Sequence, residues 1–254
     1  MSSTTLETAG EVAVLRLAHG KANALDTELC TELVSRFGEL QASSCTAVVL
    51  TGRDGIFSAG VDLRRLDDGG PGYVREFLPA LSDAFLAVFD FPRPVVAALN
   101  GHAIAGGAVL AAACDRRVLA GERAGIGVTE LLVGVPFPLT ALEILRCAFG
   151  TSALRGLVYL GAVHDGEDAL RLGLADELSD QDTVLPRAID LAERLGSLGA
   201  DAFGHTKAQL HRPFIERIGE QRPGDDARVE KIWTSDEALA SISAYVERVL
   251  KKNG

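Results

Sequence analysis

The order of apolar and polar positions divides the chain into two parts: strands alternate with helices through the first two thirds, and the last third is mainly helical. Residues 11–17 (EVAVLRL) alternate enough for a strand. They run into HGKANALD, where Gly20 and Asn23 mark a turn and Asp26 is placed to cap a helix. Leu29, Leu33, Phe37 and Leu40 share one face and predict a helix over residues 27–41. The apolar run TAVVLTG (46–52) reads as a buried strand, followed by a loop with Arg53, Asp54 and Gly55. FSAGVDLRRL then leads into DDGGPGY (67–73), whose glycines and proline predict a flexible surface loop. A helix is expected over residues 74–89, and a strand over 95–99 with prolines at its entrance. AVLAAAC (108–114) reads as a buried helix and RRVLAG (116–121) as a short strand. From Leu139 onward the pattern is helical, ending in an amphipathic segment over 236–250. This pattern predicts an α/β core at residues 1–195 and a C-terminal helical region at 196–254.

Composition narrows the class. With 47% apolar and 24% charged residues the 254-residue chain can build a sizeable core. A formal charge of −10 argues against general affinity for nucleic acid or an anionic membrane, and leaves room for an anionic ligand held by local cations. The four cysteines (Cys30, Cys45, Cys114, Cys147) are too widely spaced for a zinc knuckle or a CxxC pair, and read as free thiols. His205 and His211 are six apart, unsuited to pairing on one helical face, so no metal site is assigned. MSSTTLETAGE lacks the pattern of a signal peptide, and no apolar run approaches the roughly 20 residues that span a bilayer. A cytoplasmic protein is expected.

Two glycine-rich turns carry candidate chemistry. The first is Phe57-Ser58-Ala59-Gly60-Val61-Asp62-Leu63, whose small residues let the backbone approach a ligand. The second runs from Asn100 to Ala108 and joins a buried strand to a buried helix. Backbone N–H groups at such a helix start can stabilise negative charge on an oxygen. A P-loop is excluded, because Gly107 and Ala108 stand where Lys and Ser/Thr would grip phosphate and magnesium. A serine-hydrolase reading is weak, since no GxSxG elbow is present and no His is placed beside Ser58 by a recognisable pattern. His102, inside the second turn, reads as a packed, hydrogen-bonded histidine.

Five landmarks in order resemble the crotonase (enoyl-CoA hydratase/isomerase) superfamily over nearly the whole chain. They are KANALD, VVLTGRDGIFSAGVDL, RPVVAALNGHAIAGGAVLAAACDRRVLA, VTELLVGVPFP and AVHDGEDALRLGLADEL. The resemblance implies a crotonase-like α/β spiral of ββα units, with a C-terminal helical region that forms trimers or dimers of trimers. It implies an acyl-CoA thioester as substrate, with no cofactor other than the coenzyme A carried by that substrate. Its oxyanion-hole N–H groups fall on Val61 and Gly106. Its CoA contacts fall on Lys21, Ala22 and Ala24, and on Ser58, Ala59 and Asp62. Lys21, Arg53 and Arg64 are cations that could meet the CoA phosphates. The C-terminal segment with Phe203, Trp233 and Arg248 would cover CoA and make subunit contacts.

The carboxylate pattern decides between members. Hydratases of this family use two glutamates. The second corresponds to Glu130, but the position of the first holds Val109. One carboxylate suffices to move a proton from one carbon to another, whereas hydration needs a second group to activate water. The expected activity is therefore a Δ3,Δ2-enoyl-CoA isomerase with Glu130 as acid/base. The alternatives are an enoyl-CoA hydratase or other crotonase-type lyase, and a non-catalytic acyl-CoA binder. The additional aspartate of dienoyl-CoA isomerases is replaced by Pro138, and Glu143 reads as a solvated helical charge.

Overall fold

A computed structural model describes residues 2–53, 55–121 and 124–250; Met1, Asp54, Glu122, Arg123 and residues 251–254 lie outside it. The chain opens with an antiparallel pair, β1 (Thr4–Ala9) and β2 (Val12–Leu17), then helix α1 (Thr27–Ala42). A repeating unit follows three times: β3 (Ala47–Thr51), β4 (Ile56–Ser58) and α2 (Leu63–Phe89), then β5 (Val95–Leu99), β6 (His102–Ile104) and α3 (Gly106–Ala112). The third is β7 (Arg116–Ala120), β8 (Gly125–Gly127) and the one-turn helix α4 (Glu130–Val133). In each unit the first strand joins one sheet and the second strand joins another. The larger sheet has the order β1-β2-β3-β5-β7-β10 and the smaller β4-β6-β8-β9. β3 (AVVLT) and β5 (VVAAL) are almost wholly apolar, as buried parallel strands are, and every residue of both is buried; β7 (RRVLA) opens on two arginines.

The remaining elements are α5 (Leu139–Leu160), β9 (Val163–Asp165), α6 (Gly166–Arg171), β10 (Glu177–Ser179), α7 (Val184–Gly196), α8 (Ala200–Trp233) and α9 (Asp236–Tyr245). A single π-helical turn, Val246–Leu250, continues α9, so the helix expected over 236–250 changes geometry near its end. Trp233 is fully buried and its Nε1 donates to the Pro136 carbonyl (2.9 Å), tying the end of α8 to the segment that follows α4.

The loop expected at 67–73 is helical instead. Two helical stretches meet at a kink at Gly70 (φ 56°), and together they make up α2. Pro71 directly follows the kink, in the first turn of the second stretch, where a missing N–H costs nothing. Buried Leu66 and Val74 on either side supply the packing that Gly-rich composition cannot. The three-residue strands of the smaller sheet were too short for their alternation to show, although they build the second layer of the molecule.

Candidate active site

The HGKANALD turn and the first glycine-rich turn form one laced unit. Ala59 N–H donates to the Ala22 carbonyl (3.0 Å), Ser58 Oγ to the Asn23 carbonyl (2.8 Å) and Asn23 Nδ2 to the Phe57 carbonyl (3.0 Å). Asn23 has the left-handed conformation (φ 49°) that an Asx side chain tolerates. A short parallel bridge then sets Leu25 against Val61: Leu25 N–H reaches the Gly60 carbonyl (2.7 Å), and Asp62 N–H reaches the Leu25 carbonyl (2.9 Å). Gly60 N–H is taken by Ser58 Oγ (3.2 Å).

The second turn lies directly against the first. Ala105 has positive φ (51°), and its N–H is held by the Gly127 carbonyl of β8 (2.8 Å). Its own carbonyl accepts the Ala108 and Val109 N–H groups, which starts α3 at Gly106. A Cβ on Gly60 would sit 2.6 Å from the Ile104 carbonyl oxygen and 3.2 Å from Gly106 N; one on Gly106 would sit 2.8 Å from Leu25 Cδ1 and 3.6 Å from Val61 Cγ2. The two turns touch through glycine because no side chain fits. These bonds occupy the N–H groups around the contact, and among the described residues those of Val61 and Gly106 have no protein acceptor. Unengaged N–H groups on two turns in contact are the kind of donor that an oxyanion accepts from.

Glu130 begins α4, three residues beyond the Gly127 carbonyl that holds Ala105, so β8 links the carboxylate's position to the second turn. Gly134 ends α4 in the left-handed conformation (φ 90°), packed so closely on α9 that a Cβ would lie 2.9 Å from Ser241 Cβ. The segment bearing Glu130 is thus covered by the C-terminal helices, and the residue is 8% exposed. Burial pushes its carboxyl up to about 8, offset in part by the backbone N–H groups of Glu130 and Thr129. Its Oε2 is buried without a hydrogen-bond partner. A buried acid left without a cation is costly to a fold and useful to proton transfer.

The other candidates separate clearly. Val109 is 1% exposed, an aliphatic side chain in the middle of α3. Glu143, expected as a solvated charge, is buried, and Arg146 (2.6 Å) and Arg217 (3.8 Å) neutralise it. Sequence could not reveal that pairing, because Arg217 reaches it from α8. Lys21 and Ala59 are exposed, and Ala22 and Ala24 half-buried. The Ser58 hydroxyl is buried in the lacing, and Asp62 Oδ1 caps α2 by accepting Arg65 N–H (3.1 Å), so both side chains already serve the scaffold. Arg53 donates to the Gly20 carbonyl (2.5 Å), and Arg64 is exposed. The His102 ring is exposed rather than packed, and its Nδ1 accepts Gly125 N–H (3.1 Å). His211 stacks on Phe89 (3.8 Å between ring centres), while His205 is exposed. Sequence reasoning missed Arg65, which pairs with buried Asp26 (2.9 Å); nothing in the sequence set it apart from Arg64.

Residues 7–252 match the enoyl-CoA hydratase/isomerase family. The chain is 28% identical over 246 residues to human mitochondrial enoyl-CoA delta isomerase 1, covering 96% of this chain and 82% of that protein. It is 36% identical over 207 residues to a putative enoyl-CoA hydratase of Thermus thermophilus, covering 79% and 81% of the two chains. The crystal structure of human mitochondrial Δ3-Δ2-enoyl-CoA isomerase superposes with a TM-score of 0.94 at 27% identity, covering 99% of this chain and 100% of the other. The α/β spiral expected from the sequence motifs is therefore the observed fold. The relatives' names divide between isomerase and hydratase.

Proposed function

The chain belongs to the enoyl-CoA hydratase/isomerase family, and from that premise we propose that it is a Δ3,Δ2-enoyl-CoA isomerase with Glu130 as its acid/base. The observation that carries this reading is the state of Glu130: a buried carboxyl raised to about 8, with an unpartnered oxygen and no ion pair among the described residues. Val109 and Glu143 support it from the other side. The first cannot activate water, and the second has its charge committed to two arginines.

In the proposed reaction the thioester oxygen of a 3-enoyl-CoA accepts hydrogen bonds from the N–H groups of Val61 and Gly106. Ionised Glu130 removes a proton from C2. The electron pair left on C2 delocalises into the thioester carbonyl and across C3 and C4 as a dienolate. The protonated Glu130 then returns the proton to C4, leaving the double bond between C2 and C3. Proton and charge balance within the site, and no metal or redox cofactor takes part. An oxyanion donor of this kind lowers the barrier by about 3 kcal/mol. The CoA moiety is assigned to the Lys21, Ala22 and Ala24 turn and to Ser58, Ala59 and Asp62. Since the Ser58 and Asp62 side chains are engaged, those two would act through their backbone.

Hydration is the second reading, favoured by the 36% identity to a protein named as a hydratase. Purified protein is to be given a 3-enoyl-CoA and, separately, crotonyl-CoA. Conversion of the first without hydration of the second is expected. Comparable hydration of crotonyl-CoA would overturn the isomerase reading, and tight binding of CoA esters with no turnover would make the chain a binder. Glu130→Gln should lower kcat about 100- to 10,000-fold while leaving affinity for a saturated acyl-CoA nearly unchanged.

A further inference from the structure

Asp26 makes more contacts than a helix cap requires. Its Oδ1 takes the Leu29 N–H (2.8 Å) and so starts α1. Its Oδ2 is met by both His19 Nε2 (2.6 Å) and Arg65 Nη1 (2.9 Å), and the residue is 3% exposed. Arg65 comes from the first stretch of α2, one turn beyond Asp62. It also reaches Glu28 (2.5 Å) and lies over the Tyr73 ring, 5.2 Å from its centre. The Tyr73 hydroxyl in turn accepts the Thr27 N–H (3.2 Å), and its ring stacks on Phe77. Residues on both sides of the Gly70 kink are thereby tied to the same point, the start of α1.

That point adjoins the Leu25–Val61 bridge. Asp26 follows Leu25, and Arg65 stands four residues after Val61, so the ion pair closes over the bridge from both strands. The kink at Gly70 separates residues 63–69 from the rest of α2, and the side-chain ties of Arg65 add to the backbone bridge in fixing where they lie. We propose that Arg65, through Asp26, is a positioning residue for the Val61 N–H, holding it toward the N–H of Gly106. The proposal rests on the reading of Val61 as an oxyanion donor. Arg65 does not touch the thioester; it acts on the angle at which the first turn presents its N–H. Small displacements of such a donor matter, since catalysis depends on groups held to within about 0.5 Å.

The guanidinium is partly exposed, and His19 and the Leu29 N–H still meet the buried Asp26 carboxylate when the guanidinium is removed, so that carboxylate is not left unpartnered. A positioning role and a purely structural one therefore predict different results. Arg65→Gln should lower kcat about 10-fold, with KM within about twofold and Tm within a few degrees of the parent. Arg65→Lys should recover part of the rate, since it restores a cation at Asp26 but not the fork that also meets Glu28. A second readout is the enolate of acetoacetyl-CoA, a β-ketoacyl thioester whose enolate is detected by its near-ultraviolet absorbance. The parent protein should raise the enolate fraction of the bound ester, and Arg65→Gln should raise it less. Equal enolate fractions and equal kcat in the parent and Arg65→Gln would overturn the clamp while leaving the oxyanion reading intact. Loss of kcat in step with loss of Tm, without recovery by lysine, would make the contact structural only. Failure of the parent itself to favour the enolate would overturn the reading of Val61, and the clamp with it.

Discussion

A carboxyl group raised to about 8 has opposite consequences for catalysis and for stability. The free protein at pH 7 holds Glu130 mostly protonated, because burial penalises the charged form and the backbone N–H groups of Glu130 and Thr129 offset it only in part. Proton abstraction needs the ionised form, so kcat/KM should rise about tenfold per pH unit below 7 and level off above about 8. A pH–rate profile checks this, and a flat profile between pH 6 and 9 would remove Glu130 as the base. For stability, the ordinary carboxyl value of 4.5 applies to the unfolded chain and about 8 to the folded one. Between these values the folded state binds more protons than the unfolded state, so stability falls as pH rises through that window. Glu130→Gln removes the slope and should stabilise the protein by on the order of 1–3 kcal/mol at pH 8, and by much less at pH 5. Thermal melts at the two pH values measure the difference. Glu130 itself was legible in the sequence, because it falls in register with four other motifs. Val109 in the place of a second glutamate was legible as well; the burial of Glu130 and the reach of Arg217 from α8 to Glu143 were not, since tertiary packing decides them.

Among the elements, the glycines of the two turns show where backbone approach replaces side-chain chemistry. A Cβ at Gly107 would lie 2.5 Å from the Ser58 carbonyl oxygen, and Gly60 combines positive φ (87°) with a 2.6 Å approach to the Ile104 carbonyl oxygen. In both cases the obstacle is backbone, which cannot swing aside. Gly60→Ala and Gly107→Ala should each cost more than about 2 kcal/mol and depress activity further, because the strain falls on the turns carrying Val61 and Gly106. Gly38 is the control. It lies exposed inside α1 with open space around it, and Gly38→Ala should stabilise by about 0.5–1 kcal/mol without touching the rate. Chemical denaturation of the three variants separates these outcomes. The sequence marked both turns as glycine-rich, and β2, β3, β5, β7 and α1 were legible from their apolar residues, whereas the mostly exposed β1 was not. The helix across residues 67–73 was hidden, because local propensity opposes it and only the burial of Leu66 and Val74 overrides that preference.

The whole molecule leaves an apolar surface without a cover. Leu131 and Leu132 on α4, Tyr159 and Leu160 at the end of α5, and Val163 in β9 are between 43% and 73% exposed. They are not scattered: Leu132 packs so closely on Gly161 that a Cβ there would lie 2.6 Å from its Cγ, which brings α4 and the end of α5 together. A folded monomer rarely exposes such a cluster, and its place on the outer side of the helix that carries Glu130 would link assembly to the site. On the reading of three or six copies, this surface is buried between protomers. The net charge of −10 on each copy opposes association, so an apolar contact has to supply the attraction. Light scattering coupled to size exclusion should give a mass of three or six chains, held or strengthened as salt screens the repulsion. Leu160→Asp, at the most exposed position, should shift the protein to smaller species by placing a charge in the contact. Residual activity in the smaller species would report how far the site depends on assembly. A single-chain mass for the unsubstituted protein at micromolar concentration, at both low and high salt, would refute the reading and leave the apolar cluster to another partner.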